Sequence, residues 1–395
     1  MPWERTEPMK QRIEFALRAI AEGENFRALC TEYGIAPKTG YKWKERFLAR
    51  GIEGMKEESR RPKRSPEALE EWQVCAMVRI KERHRHWGPK KIREIYRREH
   101  GEAPSESSFK RVLERAGMVE KRRVRKAAEG GRISSGKQAT GPNEVWTVDF
   151  KGWWHDPEGA RCEPLTIRDE FSRYLLGCER MEDAKTETVW KRFERLFERH
   201  GVPGAIRSDN GSPFASSRSV LGLSRLSARW VALGIDLERG RAGCPQDNGA
   251  HERMHLDMMR ELQRAKAASS AAALEVWRQE FNCERPHEAL GMKCPAEVYE
   301  NSRQSYKGVP ERLEYEGMER RRVMKGGRVV WAGQPVFISS ALVGWDLGLR
   351  PCAADRWEIY FASLRLGELE PSTASFMAAP WRGHEEAPEA DKVLP

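Results

Sequence analysis

The hydrophobic pattern of this chain changes period near residue 143, and that change divides what the chain can fold into. Up to that point apolar residues recur at helical spacing, as in Ile13, Leu17 and Ile20. From Val145 onward short apolar runs of strand character alternate with amphipathic segments, the pattern of helices layered on a mixed sheet. Within that layered part a helix is expected over 219–233; beyond about residue 303 only short strands punctuated by glycine remain, over Arg328–Ile338, Leu342–Leu349 and Trp357–Leu366, which predicts a small β-barrel. A chain of 395 residues has room for several domains of roughly 100–200 residues. The predicted organisation is a helical domain over 1–55, a basic linker over 56–67, and a second helical domain over 68–120. A basic, flexible linker follows over 121–142, then the layered α/β domain over 143–302, the barrel over 303–374 and a disordered tail over 375–395.

The first helical domain reads as a helix-turn-helix. Phe26, Leu29 and Cys30 form the stripe of a short second helix, Gly34 and Pro37 mark the turn, and Tyr41, Trp43 and Phe47 belong to a third helix. That third helix carries Lys38, Lys42, Lys44 and Arg46, the residues expected to enter a DNA groove. The second helical domain shows the same plan less sharply. His86-Trp87-Gly88-Pro89 separates two helices, Ser105 is a candidate N-cap, and Lys110, Arg111 and Arg115 are left outside a stripe of Phe109, Val112 and Leu113. Arg122, Arg123 and Arg125 in the linker are further candidates for phosphate contact.

Charge supports a polyanionic partner. Residues 1–140 carry 34 Lys and Arg against 21 Asp and Glu, whereas the remaining residues carry 36 against 39. No apolar run of 18 residues is present, so no membrane-spanning helix is expected, and the charged N-terminus lacks the apolar core of a secretory signal. A cytoplasmic, nucleoid-associated protein is the expectation. The eight cysteines include no C-x-x-C pair; zinc has no spacing support, and buried free thiols are expected.

Three carboxylates stand out by context. Asp149 lies within the apolar run Val145-Trp-Thr-Val-Asp-Phe150, where burial of a charge is costly unless something pairs with it. Asp209 ends the strand Ala205–Ser208 and precedes the turn Asn210-Gly211, and strand ends are where sheet folds place reactive groups. Glu252 lies early in a helix beginning near Asp247, with His255 on nearly the same face. Carboxylates suit Mg²⁺ or Mn²⁺, which take oxygen ligands, and two such ions can promote a phosphodiester displacement.

These segments resemble the motifs of insertion-sequence transposases of the DDE type, whose catalytic core is shared with retroviral integrases. Trp146-Thr-Val-Asp149-Phe resembles the first acidic motif and Ser208-Asp209-Asn210-Gly211 the second. Cys244-Pro-Gln246-Asp-Asn248-Gly-Ala-His-Glu252-Arg253 resembles the third. Asn282-x-x-Arg285-Pro286-His287-x-Ala289-Leu290, followed by Cys294-Pro295, resembles the closing segment of that core. The resemblance implies an α/β RNase H-like integrase core between helix-turn-helix domains and an SH3-like all-β barrel. It also implies two divalent ions held by Asp149, Asp209 and Glu252, with Asn210, Gln246, Asn248 and His255 in support. The implied partners are double-stranded DNA, both terminal inverted repeats and target, and further copies of the chain as a homo-oligomer on that DNA.

One departure concerns spacing: 42 residues separate Asp209 from Glu252, against about 35 in many members, with the excess expected around Ser216–Ser227. Glu238 and Asp247 compete as third ligands, Asp247 being better explained as a helix cap. Asp169 reads as a hairpin-turn residue paired with Arg173. Arg253, Arg260 and Arg264 line one stripe beyond Glu252, a candidate phosphate track or a solvated face balanced by Asp257 and Glu261. Two other functions fit parts of the chain: a helix-turn-helix regulator descended from a transposase, and a different metal nuclease on the same fold.

Overall fold

The computed structural model describes residues 8–58, 68–119, 138–155, 159, 161–240, 249–262, 271–353 and 355–380. Most of the first predicted linker and nearly all of the second lie outside the described residues. The chain forms two compact units, Met1–Glu70 and Glu71–Pro395.

The first unit contains α1 (Pro8–Ile20), α2 (Phe26–Glu32) and α3 (Pro37–Arg50), closed by a 3-10 turn over Gly51–Met55. Asn25 caps α2 by accepting from the Arg27 and Ala28 N–H groups, as its position before the apolar stripe demands. Phe15, Leu29, Cys30, Trp43 and Met55 make a core of their own. The three helices predicted for this region are therefore present.

The second unit opens with α4 (Glu71–Arg83), α5 (Pro89–His100) and α6 (Glu106–Arg115). Ser105 caps α6, and Phe109 and Leu113 are buried while Val112 is half-buried.

A five-stranded sheet follows. Its strands are β1 (Val145–Phe150), β4 (Pro164–Asp169), β5 (Leu175–Arg180), β6 (Ala205–Ser208) and β7 (Asp236–Arg239), in the order β5-β4-β1-β6-β7. A small hairpin, β2 (Trp154–His155) with β3 (Arg161–Cys162), lies in the chain between β1 and β4. The meander β1-β4-β5 is antiparallel; β6 and β7 join it in parallel through the helices α7 (Thr186–His200) and α8 (Arg225–Ala232). Side chains alternate across each strand. Trp146 and Val148 of β1 pack with Phe193, Phe197, Leu226 and Trp230 of α7 and α8 on one face. Thr147 and Asp149 consequently face the other side. There α9 (Gly249–Leu262) and α10 (Ala271–Gln279) pack through Met254, Met258, Leu262, Leu274 and Trp277 onto Leu175 and Cys178.

The helix predicted over 219–233 is shorter than expected. Ser219–Leu223 is a turn in which Leu221 and Gly222 both have positive φ (49° and 64°), and α8 starts only after Ser224, which forms a capping box with Ser227. Arg239 explains the break: its guanidinium donates to the Leu221 and Gly222 carbonyls at 2.9 and 2.8 Å. A Cβ on Gly222 would lie 2.0 Å from that guanidinium and displace it, and the positive φ of 64° favours glycine there.

The C-terminal region differs in detail from the three strands predicted. It has β8 (Glu319–Arg322), β9 (Arg328–Trp331), β10 (Gln334–Phe337), β11 (Asp346–Ala353), β12 (Arg356–Phe361), β13 (Leu364–Glu370) and β14 (Ser375–Ala378). The expected strands over 328–338 and 357–366 are each a hairpin, because Gly333 and Ala362 take positive φ and reverse the chain. Ser340–Leu342 is a 3-10 turn instead of the start of a strand. Residues 375–378, expected to be disordered, pair with β13 as an edge strand. The strands form a five-stranded and a two-stranded antiparallel sheet. Their buried side chains, including Val329, Leu347, Ile359 and Leu366, share one cluster with Val220, Leu223, Ala228 and Val231. The stretch where the excess between Asp209 and Glu252 is expected thus contributes, with α8, to the seat on which the C-terminal strands pack, and Ser219 and Ser339 add a hydroxyl pair at 2.6 Å.

Of the cysteines, Cys30, Cys162, Cys178 and Cys294 are buried free thiols as expected, but Cys75, Cys283 and Cys352 are exposed.

Candidate active site

Asp149 lies next to the end of β1 on the α9 face, in register with Thr166 of β4. Its side chain is 25% exposed. Burial raises its carboxyl to about 7, and the Asp209 and then the Glu252 carboxylates push in the same direction against a backbone N–H and Lys151. Asp209 stands exposed just past β6, its Oδ1 accepting from the Gly211 N–H at 3.1 Å. Asn210 donates to the Gly240 carbonyl at 2.8 Å and so ties the turn after β6 to the end of β7. Glu252 is exposed in the first turn of α9. The fold therefore places Asp209 and Glu252 within electrostatic reach of Asp149. Among the described residues, no three His, Cys, Asp or Glu side chains stand close enough together to hold a metal ion as they are placed.

The donor set nevertheless fits a hard divalent cation. All three groups offer oxygen, and Asp149 sits in a half-buried position where two like charges disfavour its ionised form, the condition a cation would relieve.

Beneath these carboxylates lies a polar layer. His251 and His255, one turn apart on α9, reach the Thr166 hydroxyl through Nε2 at 2.6 and 2.7 Å. His251 Nδ1 lies 3.0 Å from the Thr147 hydroxyl, and His255 Nδ1 lies 3.8 Å from the Asp149 carboxylate. The Thr166 hydroxyl also lies 3.0 Å from the Asp149 carbonyl, so this one oxygen links both imidazoles to β1. Burial keeps both rings neutral, lowering His255 to about 3 and His251 well below its ordinary value. His255 is expected in support from its motif; His251 is not singled out by the sequence motifs. The signal for it is the buried stripe His251, His255, Met258, Leu262 at helical spacing.

Other expectations are corrected here. Glu238, weighed as a third ligand, is committed to Arg207 at 2.7 Å, with both side chains buried. Asp169 does not pair with Arg173. It is fully buried and accepts from the Asn143 N–H and from the Ser172 N–H and hydroxyl, because a carboxylate inside the hairpin needs several donors. Asp257 and Glu261 do not simply balance a solvated face; both bind Arg285.

The predicted DNA-contact residues have different surroundings. Lys38 and Lys42 are exposed on α3, while Lys44 packs against the Phe26 ring and Arg46 is tied to Glu58 at 2.5 Å. Lys110, Arg111 and Arg115 are exposed on α6. Arg253 pairs with Asp257 at 3.3 Å, whereas Arg260 is exposed. Arg122, Arg123, Arg125, Gln246, Asp247, Asn248 and Arg264 lie outside the described residues.

Comparison with known proteins agrees with this arrangement. The integrase core domain families match residues 139–245 and 233–295. A helix-turn-helix domain matches residues 11–63 and a homeodomain-like domain residues 39–113. The chain is similar to the uncharacterized 31.7 kDa protein of insertion element IS407 from Burkholderia multivorans, with 27% identity covering 59% of this chain and 82% of that one. It is also similar to the uncharacterized 39.2 kDa protein of insertion element IS476 from Xanthomonas euvesicatoria, with 24% identity covering 59% and 67%. Among solved structures it is similar to the catalytic core domain of BIV integrase, at 22% identity and a TM-score of 0.32, covering 40% of this chain and 93% of that one.

An integrase core of RNase H-like fold behind a helix-turn-helix region defines a polynucleotidyl transferase that acts on DNA. More narrowly, the integrase core and helix-turn-helix regions, together with the insertion-element relatives, are consistent with a DDE-type transposase of the insertion-element kind.

Proposed function

We propose that this transposase binds the terminal inverted repeats of its own element, cleaves the DNA there and joins the freed ends to target DNA, with Asp149, Asp209 and Glu252 as its catalytic carboxylates. The observation that carries the reading is the raised Asp149 carboxyl, half-buried on the α9 face and pressed by Asp209 and Glu252. These three side chains would hold divalent metal, two ions per site, which when bound activates the attacking oxygen and stabilises the leaving one. Asp149 is held in place by the sheet on which it stands, Asp209 by the turn that Asn210 ties to Gly240, and Glu252 by the seating of α9 on Thr147 and Thr166. Asn210 and His255 support the set by geometry; Gln246 and Asn248 belong to the same motif by sequence.

The wider reading follows the same lines. Lys38, Lys42 and the exposed α6 cations support DNA recognition by two helix-turn-helix domains, over 1–55 and 68–120. Two antiparallel sheets around one core support an SH3-like barrel over 303–374. We read the working form as a homo-oligomer on DNA, associated with the nucleoid.

The test is a set of isosteric changes. Asp149→Asn, Asp209→Asn and Glu252→Gln each keep the side chain's shape and remove its charge. Each is expected to abolish cleavage and strand transfer of labelled end DNA in Mg²⁺ while binding stays within about twofold, since loss of a reaction-specific electrostatic contact costs roughly 100-fold or more. Near-normal strand transfer by any one variant would remove that residue from the set.

A further inference from the structure

We propose that Arg285 is a positioning residue for Glu252, acting through α9, and that it couples the placement of Glu252 to the helices α4–α6 docked beside it. The proposal rests on the reading of Glu252 as a catalytic carboxylate.

Arg285 is among the largest fully buried side chains of the molecule. It follows the π-helical turn Glu280–Glu284 after α10. Its guanidinium bonds Asp257 at 3.1 Å and makes close contacts with both oxygens of Glu261. Asp257 also receives Arg253, the neighbour of Glu252, at 3.3 Å, and Glu261 also receives the Trp277 indole N–H at 2.8 Å. A row of charge-assisted bonds therefore runs along one flank of α9, from beside Glu252 to the helix's last turn.

That flank borders the face that packs on the sheet through Met254, Met258 and Leu262. At 100° per residue, Asp257 and Glu261 fall about 140° and 180° around the helix from Glu252, and His251 and His255 fall about 100° and 60° the other way. The histidines fasten one side of α9 to Thr147 and Thr166, and Arg285 fastens a second side about 120° around the helix. With both sides held, the helix cannot roll about its axis, and a roll would swing Glu252 relative to Asp149.

The arginine is in turn held by the helical region. Its guanidinium lies 5.5 Å from the ring centroids of both Trp87 and Phe281. Trp87 belongs to the joint between α4 and α5. The same joint meets the closing segment of the core through His84 to Glu280 and Lys90 to Glu288, both at 3.2 Å, and Arg98 of α5 donates to the Met292 carbonyl at 2.9 Å. Lys91 on α5 faces the cluster as well, its ammonium lowered to about 8 by burial and then by Arg285. The region expected to hold element DNA thus reaches the helix that carries the third carboxylate through one side chain.

The experiment uses the full-length chain and a labelled duplex of the element end read from the DNA flanking its gene. Arg285→Met keeps the stem over Trp87 and Phe281 but removes the charge. It is expected to slow single-turnover cleavage roughly 10- to 100-fold, the order of loss a displacement of about 1 Å produces. End binding should stay within about twofold, the Mg²⁺ concentration for half-maximal cleavage should rise, and Arg285→Lys should recover part of the rate. If Arg285→Met does not unfold in a single cooperative transition, Asp257→Asn decides instead; it leaves Glu261 to satisfy the guanidinium and should show the same signature, weaker. Cleavage within twofold of wild type in the folded variant would overturn the proposal, and so would a loss of binding that parallels the loss of rate. Cleavage by Glu252→Gln would instead overturn the reading of Glu252 on which it rests.

Discussion

At the scale of single residues, Asp149 gives the metal-free protein a pH dependence of its own. Its carboxyl titrates near 7 when folded, against an ordinary value of 3.8. The folded state therefore holds a proton between these values that the unfolded chain has released, and stability falls as pH rises through that window. Asp149→Asn should stabilise the metal-free protein at pH 8 by about 1–4 kcal/mol, at roughly 1.4 kcal/mol for each pH unit between the folded and unfolded values, and the gain should vanish towards pH 4. Thermal melts at both pH values check this; equal gains at pH 4 and pH 8 would mean that charge is not the cause. The three carboxylates are legible in the sequence because each sits in a short local motif. Arg285 is visible there as a motif letter, yet its task is not, because Trp87 lies far away in the chain and Asp257 and Glu261 read as surface charge until the fold buries them against it. Asp169 misleads for a similar reason: the donor from Asn143 comes from outside the hairpin.

Periodicity locates nearly every helix and core strand, because amphipathic patterns are local. It fails where tertiary contacts decide. The turn over Ser219–Leu223 exists because Arg239 grips its carbonyls, and the short C-terminal hairpins because Gly333 and Ala362 reverse the chain within runs that look continuous. The spacing between Asp209 and Glu252 announces extra material but not its use, since the strands it supports begin about a hundred residues later. Leu223 is fully buried in the cluster those strands share. Leu223→Ala should destabilise the protein by about 2–5 kcal/mol, the usual cost of removing a buried leucine. A cost under about 1 kcal/mol in denaturant unfolding would mean that the turn does not anchor the C-terminal region.

Across the whole molecule, positive charge is concentrated before residue 140, and the structure sorts the cations there into free and committed ones. Lys38 projects from α3, whereas Lys42 lies over the Trp43 ring at 5.0 Å and Arg46 is held by Glu58. Removing one cation from a phosphate lowers the log–log salt slope of DNA binding by about one. Lys38→Ala should therefore flatten the slope by about that amount, and Arg46→Ala should leave it nearly unchanged; equal slopes for the two variants would refute the distinction. The seat formed by Val220, Leu223, Ala228 and Val231 carries a consequence for how such a protein can be dissected. A fragment that stops at residue 302 leaves those side chains facing water, a sticky apolar face on an otherwise complete catalytic sheet. The smallest excisable enzyme therefore runs through residue 378, and the last strands are a structural part of the catalytic body, not an accessory that trades places between proteins.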